Sequence, residues 1–175
     1  MRSFAEERKN GTEVLLLSSP ISVTKIVMAK FLATATVFFI MLVVSLYYPM
    51  ITALNGHVIL ANLICTYIGF YLFGLVCIAL GILISSFTES IILSIVMSEA
   101  AMILLLLVDN IANYTFFSNI PVLSDLLHWL SNQQKFITFS NGYMQISDLF
   151  AYLTEIAVFL ILTIISVEKR RWSRR

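Results

Sequence analysis

"VILANLICTYIGFYLFGLVCIALGILI", Val58 to Ile84, runs its whole length without one Asp, Glu, Lys or Arg. A hydrocarbon core about 30 Å thick is crossed by about 20 apolar helical residues, and this stretch exceeds that. The surplus predicts a tilt or kink, with Gly69, Gly74 and Gly81 as the places for it. Lipid offers no water to backbone N–H and C=O groups, so the stretch is expected to be helical. Three more segments have the same character: Phe31–Tyr48, Ile91–Val108 and Leu149–Val167. The fold class that follows is all-α, a polytopic membrane protein with four transmembrane helices. Composition agrees, because 59% of residues are hydrophobic and 12% charged, whereas about a quarter are charged in soluble domains. With no internal repeat or low-complexity linker, residues 1–175 read as one transmembrane domain.

The charges set the topology. Arg2, Arg8, Lys9, Lys25 and Lys30 lie at the start, Lys169, Arg170, Arg171, Arg174 and Arg175 at the end, and only Lys135 between. Four spans return the chain to its starting side, and basic flanks favour the cytoplasm. Both termini are therefore expected in the cytoplasm of a cell whose plasma (inner) membrane holds the chain. Basic ends of this kind serve topology and give no support to nucleic-acid binding. Pro49–His57 then reads as a short outer turn and Ser85–Ser90 as a short inner one. Residues 109–148 form a long outer segment. In it Val122, Leu123, Leu126, Leu127 and Leu130 share one helical side, opposite Asp125, His128 and Ser131. That pattern predicts an interfacial or re-entrant helix. Tyr47, Tyr48, Trp129 and Tyr143 suit an outer aromatic belt and Trp172 an inner one. Cys77, Gly81 and Ser85, four residues apart, form a small-residue stripe suited to close helix packing.

The pattern argues against catalysis in the chain itself. Cys65 and Cys77 both fall within the second span, and His57 and His128 stand alone without a ligand at helical spacing. No metal site or cofactor of its own is expected. There is no GxxxxGK[ST] loop to cradle a nucleotide. No span places a His, Lys or Cys base beside its serines and threonines, so no catalytic residue is assigned. Two acids stand out: Glu99 in the third span and Glu155 in the fourth. A central carboxylate costs about 2.5–3.5 kcal/mol even on the lenient insertion scale, so each is expected to face protein or water. Two readings stay open for both: a lining residue of a polar pathway, or an interhelical hydrogen bond that fixes packing.

Ahead of the first span lies "EERKNGTEVLLLSSPIS", Glu6 to Ser22. Asn10 and Gly11 are suited to end one helical piece, with Asn10 and Glu13 at capping-box spacing for the next. Val14, Leu15, Leu16 and Leu17 make an apolar knob, Pro20 stops it, and Ser22 can cap the helix that follows. Such a knob suits docking of a cytoplasmic partner or a resting place on the inner membrane surface.

"FAEERKNGTEVLLLSSPISVTKIVMAKFLA" resembles the cytoplasmic segment of type-2 ABC exporter permeases, through Glu7, Arg8, Gly11, Thr12, Glu13 or its neighbour Val14, Leu15, Leu16, Pro20 and Lys30. Ala29 stands where a glycine is usual. "FITFSNGYMQISDLFAYL" is similar to the family's segment before the last span, through Phe136, Phe139, Gly142 and Asp148, with Asn141 in place of a common arginine. The closest likeness is to permeases of gliding-motility-associated and related export systems. The resemblance implies a membrane subunit that pairs with a second permease and with cytoplasmic ATP-binding-cassette ATPases, on which ATP and Mg would be bound. It implies that Thr12, Glu13, Val14, Leu15, Leu16 and Leu17 are the ATPase contact, in a coupling helix; Glu99 and Glu155, from their place within the spans, are the candidates for the pathway. The family has six spans with this segment between the second and third, so the chain is expected to be N-terminally truncated relative to it. The competing expectation is a membrane scaffold that uses the same knob to recruit another partner.

Overall fold

The computed structural model describes residues 3–12, 21–55, 59–112, 127 and 129–173. Among them every regular element is helical: α1 Ser3–Lys9, α2 Val23–Ser45, α3 Tyr47–Asn55, α4 Leu60–Phe87, α5 Ile91–Ala112, α6 Asn132–Ser140 and α7 Ile146–Ser173. Four stretches are long and apolar enough to cross a membrane: Val23–Leu54, Leu60–Phe87, Ile91–Val108 and Ile146–Arg171.

Where the first span breaks, the cause is Pro49. Proline has no N–H for the carbonyl four residues earlier, and its ring crowds that carbonyl. The group affected is the Ser45 C=O, and the Tyr67 hydroxyl of α4 donates to it at 3.2 Å. The chain resumes as α3, so the outer turn expected from Pro49 onward is helical through Asn55. Proline within the first turn of a helix costs no hydrogen bond, which is why a Pro-containing segment still winds.

α4 is helical throughout, from Leu60 to Phe87. Two of its glycines allow close approach. A side chain at Gly74 would overlap the Phe38 ring, and one at Gly69 would overlap Phe139.

The residues fall into two compact units. One comprises Met1–Thr36, Leu75–Met102 and Glu155–Arg175. Its interior holds Phe4, Ala5, Val27, Phe31, Val76, Ala79 and Ile82 together with small polar groups: Ser85, Ser86, Ser94, Ser98 and Thr163. Several of these hydroxyls have partners within the unit. Ser98 donates to the Ser94 carbonyl, Thr163 to the Phe159 carbonyl, and Ser86 and Ser166 lie 3.1 Å apart across α4 and α7. Small hydroxyl residues at helix contacts are a common adhesive in lipid.

The other unit comprises Val37–Gly74 and Ile103–Thr154. Leu42, Leu72, Leu105, Val108, Phe139 and Tyr152 are buried in it, while Tyr47, Tyr48 and Tyr143 are exposed. Of the helix expected here, Val122, Leu123, Asp125, Leu126 and His128 lie outside the described residues, while Leu127, Trp129 and Leu130 are helical. After them comes α6.

Candidate coupling site and intramembrane acids

A seven-residue helix has little stability of its own, because nucleation is costly and few bonds follow it. α1 is held by what it touches. Phe4 and Ala5 are fully buried, and their N–H groups both donate to Ser85 Oγ of α4, at 3.0 and 3.1 Å. First-turn amides have no partner within their own helix and are ordinarily met by an N-cap side chain. Here a different helix supplies that oxygen. Arg8 returns the service, donating from Nη1 to the Thr88 carbonyl at 2.6 Å and from Nη2 to the Ser86 carbonyl at 2.9 Å. These are carbonyls at the C-terminal end of α4, where partners run out and the helix dipole favours a cation. Arg170 of α7 donates to the Phe87 carbonyl of the same end at 3.0 Å.

α1 is also tied to α2. Lys30 Nζ bonds Glu7 Oε1 at 2.5 Å and lies 4.4 Å from the centre of the Phe4 ring. Asn10 and Gly11 close the helix as expected, Gly11 with φ of 71° and its N–H on the Arg8 carbonyl. Thr12 follows, exposed, with its hydroxyl on the Glu7 carbonyl at 3.2 Å. Glu13, Val14, Leu15, Leu16 and Leu17 lie outside the described residues. The chain is next described at Ile21, whose carbonyl accepts from Arg171 Nη1 of α7 at 3.4 Å.

The two acids part company. Glu155 of α7 is fully buried. Glu99 of α5 is exposed, on the same helical side as Ile92 and Val96, which are exposed too. Of the four membrane-length stretches, that of α5 is the least covered by the chain, 22% buried against 50% for α4. Both acids lie within electrostatic reach of Cys77. Cys65 and Cys77 are free thiols. Among the described residues no group of three or more His, Cys, Asp or Glu is placed to hold a metal ion.

The second sequence motif has a structural meaning in its own unit. Phe139 of α6 is fully buried against Gly69 and the Tyr152 ring, whose centre is 6.2 Å away. Phe136 meets Phe70 edge-on at 6.4 Å. Gly142 turns the chain with φ of 80°, and its Cα sits where a side chain would strike Asn62. Lys135, the lone cation of the middle sequence, is buried; its Nζ donates to the Trp129 carbonyl and lies 5.3 Å from the Tyr152 ring centre. Ser85, Arg170 and Arg171 were not marked by the sequence as parts of a site. Their partners are remote in sequence, and no local pattern signals such contacts.

Four apolar helices of membrane length define a multi-pass α-helical membrane protein. The family description "ABC-2 family transporter protein" matches residues 1–172, and the chain belongs to that family, the membrane permeases of ABC transport systems. Permeases of this kind are transport subunits that work with a cytoplasmic ABC ATPase. Comparison with curated proteins and with solved structures returned no match.

Proposed function

We propose that the chain is the membrane subunit of an ATP-driven export system and turns the motions of a separate ATPase into movement of its spans. ATP and Mg are bound by that ATPase. Thr12, Glu13, Val14, Leu15, Leu16 and Leu17 form the contact, with the leucines filling an apolar groove and Glu13 meeting a basic group. Both termini then face the cytoplasm, where the ATPase is. A second permease subunit completes the pathway.

The observation that carries this reading is Glu99. It sits near the middle of an apolar span and is exposed on the chain taken by itself. Lipid contact there would cost about 2.5–3.5 kcal/mol, so another subunit or an aqueous path covers it. Glu155 is already buried, which favours its role in packing.

The test uses the chain co-expressed with its ATPase. Leu15→Arg or Leu16→Arg abolishes co-purification of the ATPase while the chain still inserts in the membrane; survival of the complex with both changes refutes the contact. Glu99→Gln lowers ATPase stimulation more than it lowers assembly with the second permease. Equal loss of the two assigns Glu99 to packing.

A further inference from the structure

Residues 13–20 are bracketed by two anchored ends. Before them, α1 is capped by Ser85 of α4 and caps α4 in return through Arg8. After them, the Ile21 carbonyl is held by Arg171 of α7 before α2 begins at Val23. Covalent connection alone would pass a displacement of this segment to α2. We infer that Ser85, Arg8 and Arg171 are positioning residues that fasten the coupling segment to α4 and α7 as well, so that its displacement reaches three spans together.

The reciprocal cap explains why the fastening holds. Separating α1 from α4 strands two N–H groups on one side and two carbonyls on the other. Ser85, Phe4 and Ala5 are buried, so water does not replace the lost bonds without opening the contact. Glu7 and Lys30 add the third tie, to α2 itself. α1 is thereby a junction of α2 and α4, placed one tight turn ahead of the segment proposed to meet the ATPase.

This inference rests on the coupling function proposed above, and the two fail separately. The full chain is studied with its ATPase in lipid nanodiscs. Hydrogen exchange is followed at the Phe4 and Ala5 amides, and ATP turnover of the complex is divided by that of the isolated ATPase. Ser85→Ala speeds exchange at both amides about tenfold, the scale expected for a stranded buried donor. It lowers the turnover ratio severalfold, while complex yield and the KM for ATP stay unchanged. Arg8→Gln has the same effect and Arg8→Lys restores part of it. Arg171→Gln lowers the ratio with α1 exchange unaltered, which separates force transfer from folding of α1. Faster exchange with an unchanged ratio overturns the inference, as does exchange that Ser85→Ala leaves alone. Retention of the ATPase by Leu15→Arg and Leu16→Arg overturns the docking reading instead.

Discussion

Gly69→Ala sets two effects of opposite sign against each other. Alanine is the better helix former by about 0.8–1.0 kcal/mol, so on propensity alone the change would stabilise α4. Its methyl, however, would lie 2.6 Å from Phe139 Cβ and 2.8 Å from Cγ. Phe139 has no room to yield: it is fully buried, packs on Tyr152, and belongs to a helix whose end is fixed by the Gly142 turn. Its Cβ moves only with the backbone. Overpacking of a filled core costs about 1–3 kcal/mol, and contacts this short belong to the upper part of that range. The net expectation is a loss of about 1–2 kcal/mol, or a Tm lower by about 2–8 °C for a chain of this size. Thermal unfolding of the purified chain in detergent, followed by tryptophan fluorescence, measures it. Phe139→Ala alone should cost about 3–5 kcal/mol. The double variant should lose less than the sum of the two, because the added methyl partly refills the space. A Tm raised by Gly69→Ala, or strict additivity in the cycle, would refute the reasoning.

Gly142→Ala combines a left-handed backbone, costing about 1–2 kcal/mol, with a collision against Asn62. Asn62→Ala should relieve the collision and leave the backbone share, read from the same melts. Tyr67→Phe strands the Ser45 carbonyl and should cost about 1–3 kcal/mol; Pro49→Ala, which restores the helix's own N–H donor to that carbonyl, should recover most of it, and failure to recover would remove Pro49 as the cause. For Glu7→Gln and Lys30→Gln, a double-mutant cycle on unfolding should give a coupling of about 0.5–1 kcal/mol that shrinks at 1 M salt.

The spans were legible because their signal is bulk hydropathy, which needs no partner to be read. Which side of each is covered was not. α2 and α4 are apolar nearly all round, so no periodicity marks a buried face, and the different surroundings of Glu99 and Glu155 emerge only from the packing. α6 was hidden for the opposite reason. "NQQKFITFS" has neither high hydropathy nor a strong apolar side, and its burial comes from docking Phe139 and Lys135 onto neighbours. Gly142, marked in the sequence only by resemblance, has a stereochemical reason in its positive φ. The expected turn at Pro49 failed because proline's disruption reaches backward to Ser45, leaving the residues after it free to wind. Glu7 and Lys30 were both noted as motif residues, yet nothing local announces that one meets the other.

The Tyr67 bond to Ser45 has a mechanical side. A carbonyl released by proline and served by a neighbouring helix is satisfied at only one register of the two helices. If α2 slid past α4 by one helical turn, about 5.4 Å, the hydroxyl would be carried away, and an unserved carbonyl in hydrocarbon costs several kcal/mol. The Phe38 ring, seated over Gly74 and stacked on Tyr71 at 6.0 Å, opposes the same slip by shape. Within their unit, the adjoining parts of α2 and α4 are therefore locked in register against sliding past one another.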